Sequence, residues 1–375
     1  MSTNNPDFIK IAIIGSRGYP HVYGGYETFV KELSERLITK GIAVHVYNQK
    51  HLFTDRPPIV NGIHLHYIPT LPHKSLNQII YCFLSLFHAA FSSAEVILVV
   101  NLAAGPMGWI PKITGKKTII NTDGLEWLRP KWKGLGAKYF YFGAWSATKL
   151  YDQLICDAEA MQKVYLEKFN AQSRVIAYGA PPFKESSEEH IRGLGLKPGE
   201  YYLIVGRLVA DNNADLLVKG FLESKSSKKL VIVGDVPYRD TYAQEIKKFA
   251  SEKVIFLGYV KHPDVLMSLY QHCYVYLHGH QFGGTNPAML KAMSNQCAIL
   301  ALDTPFNREM LNDGEFGIFF ELDSAAVAHE MNQIEGAEEK VQLLKRKVKY
   351  GLTEKYNWEV ITDKYISEFT KLIRK

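Results

Sequence analysis

Cysteine is scarce in this chain, and none of it sits where cysteine chemistry needs it. Cys82, Cys156, Cys273 and Cys297 are the only four in 375 residues. No C-x-x-C pair occurs, which excludes a disulfide framework and a zinc knuckle and points to a reducing cytosol. A long apolar run is missing as well. The richest stretch, residues 79–100, is broken by His88, Ser92, Ser93 and Glu95, short of the roughly 20 apolar residues a membrane-spanning helix requires. Residues 1–10 are polar and lack the apolar core of an export signal, so a cytoplasmic location is expected. Internal repeats and low-complexity tracts are absent.

What remains is an ordinary folded composition, 47% hydrophobic and 22% charged, which excludes disordered, collagen-like and coiled-coil chains. At about 100 to 200 residues per domain, the length implies two domains. The net charge of +6 is unevenly spread: residues 1–180 carry 19 Lys and Arg against 12 Asp and Glu, the remainder 25 against 26. A basic first half suits an anionic partner such as a membrane surface, a phosphorylated lipid or nucleic acid. The chain carries no recognised nucleic-acid module, so nucleic acid is not expected. Short apolar runs at 9–15, 43–47, 64–68, 96–100, 117–121 and 153–156 alternate with helix-length segments, predicting a parallel sheet covered on both faces. The consecutive prolines Pro181 and Pro182 predict a linker. Beyond them the rhythm restarts at 201–205, 229–233, 253–257, 274–277 and 298–301, a second doubly wound α/β domain. Trp358, Ile361, Tyr365, Phe369 and Leu372 predict an amphipathic helix that must dock. The expected divisions are 1–180, 181–356 and 357–375.

Four strand-to-helix loops carry the candidate chemistry. The first, GSRGYPHVYGGYE (15–27), is too long for the G-x-G-x-x-G dinucleotide fingerprint, which disfavours an NAD enzyme. Gly24 and Gly25, just before a helix with Glu27 in its first turn, still let backbone N–H groups approach an anion or sugar; a merely flexible loop is the alternative. The second, NTDGLEWLRPKWK (121–133), follows a buried strand. Its carboxylates Asp123 and Glu126 and cations Arg129, Lys131 and Lys133 suit a sugar hydroxyl and an acceptor phosphate together. An exposed helix start capped by Asp123 fits equally well. The third, VGRLVADNN (205–213), places Arg207 where it reaches an anion bidentately. The fourth, HGHQFGGTNPAMLKAM (278–293), puts the N–H groups around Gly283, Gly284, Thr285 and Asn286 ahead of a helix opened by Pro287, an anion site. His278 and His280 have no third ligand nearby, so no metal is expected.

Together and in this order, the four stretches, with FNRE at 306–309, resemble the bacterial family-4 glycosyltransferases, in particular the branch of rhamnosyltransferases of cell-wall and capsular polysaccharide synthesis. The resemblance implies a GT-B fold: two Rossmann-like doubly wound domains facing across a cleft, with the last helix crossing back to the first domain. It implies a nucleotide diphosphate sugar, dTDP-rhamnose by the branch, held by Arg207, Asn212, Gly283, Gly284, Thr285, Asn286, Lys291 and Glu309. It implies an acceptor, a glycan or a polyprenyl-diphosphate-linked saccharide, held by the basic first domain around Gly24, Gly25, Glu27, Arg129 and Lys131. Transfer is expected with retention of configuration and without metal or other cofactor; no D-x-D pair occurs. Asp123 resembles the family's catalytic carboxylate, and Glu126 is the alternative.

The chain departs from the wider family at two places. Asn212 replaces the usual lysine five residues after the arginine, as this branch commonly has it. Lys291 and Gly283 replace the two glutamates of the glycine-rich loop and its helix, so Lys291 is read as diphosphate charge instead of a ribose ligand. A catalytically silent glycan-binding or assembly subunit is the alternative function. Trp127, Arg129, Lys131, Trp132, Lys133 and Lys138 alternate aromatic and basic side chains, which predicts adhesion to an anionic leaflet on the inner face of the cell membrane. The aromatics of 139–145 are read instead as the buried stripe of a helix.

Overall fold

A computed structural model describes residues 9–20, 24–70, 76–122, 124–236 and 240–374. The chain divides into two compact units, Met1–Gly179 with Lys355–Lys375, and Ala180–Glu354.

In chain order the first unit contains β1 (Lys10–Ile14), α1 (Gly25–Thr39), β2 (Ala43–Gln49), β3 (Ile59–Val60), β4 (Ile63–Ile68), α2 (Asn77–Ala90), β5 (Val96–Val99), α3 (Trp109–Ile113), β6 (Lys117–Asn121), α4 (Leu135–Leu150), β7 (Gln153–Cys156), α5 (Glu159–Phe169) and β8 (Arg174–Val175). The strands form one eight-stranded sheet in the order β3-β4-β2-β1-β5-β6-β7-β8, parallel except for the antiparallel edge strand β3. Its central strands are nearly continuous apolar runs, as Ile11, Ile13, Val44, Val46, Val96 and Leu98 show by being wholly buried. Both faces of a parallel sheet carry helices, so neither side of a strand is left for polar residues. The exception lies toward the β4 edge. His66 on β4 stacks with His45 and Tyr47 on β2, and His88 of α2 lies tilted against His66 and edge-on to Tyr47; His45 Nδ1 lies 3.0 Å from His66 Nε2, and Tyr47 Oη lies 2.8 Å from His88 Nδ1.

The second unit contains α6 (Glu189–Arg192), β9 (Tyr201–Val205), α7 (Ala214–Glu223), β10 (Lys229–Val233), α8 (Thr241–Lys247), β11 (Val254–Gly258), α9 (Pro263–His272), β12 (Tyr276–His278), α10 (Pro287–Ser294), β13 (Ile299–Leu302), α11 (Pro305–Met310), β14 (Ile318–Phe320), α12 (Ser324–Ile334) and α13 (Glu338–Lys347). Its sheet is parallel in the order β11-β10-β9-β12-β13-β14, the doubly wound order in which strand direction of travel reverses beside the first strand. Leu217, Val218, Leu230, Ile232, Leu300 and Met331 fill its core.

The last helix, α14 (Trp358–Ile373), is part of the first unit. Asn357 caps it by accepting from Glu359 N at 2.8 Å. Its apolar stripe, Trp358, Ile361, Tyr365, Phe369 and Leu372, is buried, with Phe29 of α1 against the rings of Trp358 and Tyr365. Ion pairs from Lys40 to Asp363 (2.7 Å) and Arg36 to Glu359 (3.2 Å) flank that seam. No helix among the described residues is long and apolar enough to cross a membrane.

Candidate functional site

In open α/β sheets, ligands bind beyond the carboxyl ends of the strands where the winding reverses. In the first unit that point lies between β1 and β5. Gly15 ends β1 with φ +116°, and a Cβ there would crowd the backbone N of Asn101 at 3.0 Å, so only glycine lets the strand ends close up. The loop that follows is pinned on both sides. Asn48, at the end of β2, accepts from Tyr19 N at 3.0 Å and donates to Tyr19 O at 2.9 Å. Glu27, buried in the first turn of α1, accepts from Arg17 N at 2.9 Å. Gly24 and Gly25 lead into that helix, and Thr28 N donates to Gly24 O. Glu27 therefore braces the loop from within; the residue proposed to touch a sugar holds the backbone that would do so.

The segment after β6 is also organised around one buried carboxylate. Glu126 lies 3.0 Å from Arg129 Nε, 3.0 Å from Lys131 Nζ and accepts from Trp132 Nε1 at 2.7 Å. Burial pushes its carboxyl up, but the two cations and the indole outweigh this and hold it at about 2. A carboxylate so weakly basic and so fully engaged is a poor proton acceptor, and its three partners make Glu126 the brace of this loop. Arg129 and Lys131 face the same carboxylate and Trp127 is buried, while Lys131, Lys133 and Lys138 are exposed, so the expected strip keeps three of its cations at the surface and loses Trp127 to the interior. Asp123 lies outside the described residues. Asn121, at the end of β6, accepts from Tyr365 Oη at 3.2 Å, and its buried Nδ2 has no partner among the described residues.

In the second unit the reversal lies between β9 and β12, and here the structure brings several sequence candidates together. Asn212 Nδ2 donates to Arg207 O at 2.7 Å, and His280 Nδ1 lies 2.7 Å from Asn212 Oδ1. Because that amide oxygen can only accept, His280 carries its proton on Nδ1. Its Nε2 then faces Gly283, where a Cβ would collide with it. Asn213 donates to Gly279 O at 2.8 Å, Gln281 N to Asp211 O at 3.0 Å, and Asn307 to His280 O at 3.1 Å. The loop carrying Arg207 is thus stitched to the loop that opens the glycine-rich segment. Asn212 is spent on this stitching and orients the arginine backbone instead of offering its side chain to a ligand. Asn286 is likewise spent: its side chain caps α10 by accepting from Ala288 N (2.9 Å) and Met289 N (3.3 Å), and its own N–H donates to Met310 Sδ. Gly283, Gly284 and Thr285 are buried. Lys291 and Glu309 are carried half-buried on α10 and α11.

The positioning roles of His280, Asn213 and Asn307 were not legible from residue type; the left-handed Asn213 (φ +50°) is a backbone signal that only a turn assignment would expose. His278 is buried at the end of β12, with Nδ1 3.1 Å from Tyr276 Oη and Nε2 without a partner among the described residues. No group of three or more His, Cys, Asp or Glu side chains among them is arranged to hold a metal ion. A cavity of about 510 Å³, lined by Asp303, Phe319, Glu321, His329 and Glu330, lies along β14 and α12, away from the Arg207 loop.

Two histidines, one buried and one half-buried, make the fold sensitive to acid. Burial, then the neighbouring His280, pushes His278 down to about 3; burial, then His45, His88 and His64, pushes His66 down to about 4. The folded state accommodates both rings neutral, so their contribution is complete above the ordinary value of 6.5 and is lost as the pH falls toward those depressed values. At pH 5 the expected loss is about 2 kcal/mol from His278 and less from the partly exposed His66. Urea titrations at pH 7.5 and 5.0 measure it; equal midpoints would refute it.

Residues 186–350 match the family described as glycosyl transferases group 1. Residues 9–55 and 96–181 match a domain of unknown function, DUF1972. One curated relative, an N-acetylgalactosamine-N,N'-diacetylbacillosaminyl-diphospho-undecaprenol 4-alpha-N-acetylgalactosaminyltransferase of Campylobacter jejuni, is 28% identical over 151 residues. The match spans 40% of this chain and 40% of the relative's length. Among solved structures, sucrose-phosphate synthase from Thermosynechococcus elongatus superposes with a TM-score of 0.82 at 16% identity, covering 98% of this chain and 99% of that one. Anabaena HepE in complex with UDP gives 0.76 at 14% identity, covering 97% and 100%. The architecture of two Rossmann-like α/β domains with parallel sheets is that of the GT-B fold.

Proposed function

We propose that this chain is a glycosyltransferase that moves a sugar from a nucleotide diphosphate donor to a glycan or polyprenyl-diphosphate-linked acceptor in cell-surface polysaccharide synthesis. The observation that carries this reading is the pairing of Arg207 with the glycine-rich loop at the β9/β12 reversal, inside the segment that matches group 1 glycosyl transferases. A departing diphosphate needs fixed positive charge and N–H donors where its negative charge grows. Arg207, with the backbone of Gly283, Gly284 and Thr285, supplies both without a metal ion. Transfer with retention, and dTDP-rhamnose as donor, are the finer proposals, supported by the branch-specific motifs. Asp123, in the loop after β6, is proposed to orient the acceptor hydroxyl or take its proton. The lipid-linked acceptor is supported by the partial likeness to the Campylobacter enzyme, whose name specifies a diphospho-undecaprenol substrate.

Lys291 favours a second reading. It stands on α10 where a glutamate would accept from the donor ribose, and a chain that lost that bond fits a silent glycan-binding subunit. A thermal-shift panel of nucleotides separates the two readings at the binding step. At 100 times Kd a donor adds about 2.7 kcal/mol of stability. One nucleoside diphosphate and its sugars are expected to raise Tm by several degrees; no shift with any member would leave the donor site without support.

A further inference from the structure

A group of exposed apolar side chains lies on three helices of the first unit. Phe87 and Phe91 at the end of α2, Trp109 and Ile113 on α3, and Phe142 and Trp145 on α4 are each 45–70% exposed. They share one layer. α2 packs along α3, and α4 lies across the Leu102–Met107 turn that leads into α3, with Tyr139 Oη bonded to Ala103 O at 2.7 Å and Tyr151 Oη to Ala104 O at 2.8 Å. The buried face of α4 is Phe140, Gly143, Ala144, Ser146 and Ala147, which turns its aromatic face outward. The aromatics of 139–145 are therefore only partly the buried stripe expected of them.

The charge on this layer has one sign. None of α2, α3 and α4 contains an aspartate or glutamate. Lys112, Lys138 and Lys149 are exposed among the aromatics. Exposed apolar side chains gathered on neighbouring helices mark an interaction surface. A second copy of the chain fits it badly, because a two-fold contact sets each patch, with its lysines, against the same patch. An anionic bilayer fits both features: tryptophan favours the headgroup layer, phenylalanine the apolar face of an interfacial helix, and each lysine near an anionic leaflet strengthens binding roughly fivefold.

We infer that the outer face of α2, α3 and α4 docks on an anionic phospholipid bilayer. The surface rests on the proposed lipid-linked acceptor and names where the enzyme meets the membrane; it shares Lys138, and no other residue, with the basic and aromatic strip expected from the sequence. The contact is interfacial: side chains enter the headgroup layer and no helix spans it.

The test uses vesicles without glycolipid, so it reads docking whether or not sugar transfer is ever observed. Full-length protein is floated with phosphatidylcholine vesicles and with vesicles containing 30% phosphatidylglycerol, at 0.1 M and 0.5 M salt. Wild type is expected to bind the anionic vesicles at least tenfold better than the neutral ones, less so in high salt, with its tryptophan emission quenched by brominated lipid. Two variants, Phe87→Gln/Trp109→Gln/Trp145→Gln and Lys112→Gln/Lys138→Gln/Lys149→Gln, are each expected to lose at least tenfold. Both change exposed positions, and an unchanged circular dichroism spectrum and Tm verify their folding. Absence of binding by wild type, equal binding by folded variants, or equal binding to neutral vesicles would overturn the inference. So would concentration-dependent dimers in sedimentation velocity that the aromatic variant abolishes, which would assign the face to a second copy.

Discussion

Replacing Arg207 with alanine lowers kcat/KM for the nucleotide-sugar donor by about 10- to 100-fold. The backbone that carries the guanidinium is held in place, since Asn212 donates to the Arg207 carbonyl and His280 bonds Asn212. Losing a charge-assisted hydrogen bond to a diphosphate costs about 1.5 to 3 kcal/mol. The loss should fall on both parameters, because the arginine meets charge already present in the ground state and more of it as the diphosphate leaves. Stability should change little at this half-buried position. Steady-state kinetics with a folded Arg207→Ala protein decides it, and unchanged KM and kcat would remove Arg207 from the donor site.

Glu126→Gln is expected to act on the fold. The substitution keeps an acceptor for Trp132 but leaves Arg129, whose side chain is only 11% exposed, facing a neutral amide. Breaking a buried ion pair by removing one partner costs about 3 to 5 kcal/mol. For a unit of this size that is a fall in Tm of roughly 10 °C. Activity per folded molecule should drop far less than it does for Asp123→Asn, which is expected to lower kcat while sparing donor affinity. A normal Tm with kcat abolished would instead return Glu126 to proton transfer.

These two expectations show where sequence reading reaches and where it stops. The strand runs at 43–47, 117–121, 153–156, 201–205 and 229–233 correspond to β2, β6, β7, β9 and β10 because a strand buried on both faces must be apolar along its length. The short strands β3, β8 and β14, two or three residues each, carry too little periodicity to stand out. The Trp358 helix was legible for the opposite reason, its stripe being long. The site was legible as loops and opaque as contacts. Asn212, Asn286 and Glu126 have the right chemistry to meet a ligand, yet each is bound to its own chain, and no spacing rule distinguishes a polar side chain that binds from one that braces. The aromatic run of 139–145 misled in a related way. It is apolar on nearly every side, so periodicity could not choose its outward face; Gly143, where α4 meets the Leu102–Met107 turn, does.

The central claim is sugar transfer from a nucleotide donor without a metal ion, and one measurement tests it. The purified chain is incubated in EDTA with dTDP-rhamnose or with UDP- and GDP-sugars and a polyprenyl-diphosphate-linked saccharide, and products are read by mass spectrometry and proton NMR. The account predicts an acceptor heavier by one sugar, free nucleoside diphosphate, and an anomeric configuration retained from the donor. A product that forms only after Mg²⁺ or Mn²⁺ is restored, one of inverted configuration, or donor binding with no transfer to any acceptor in the panel would contradict it.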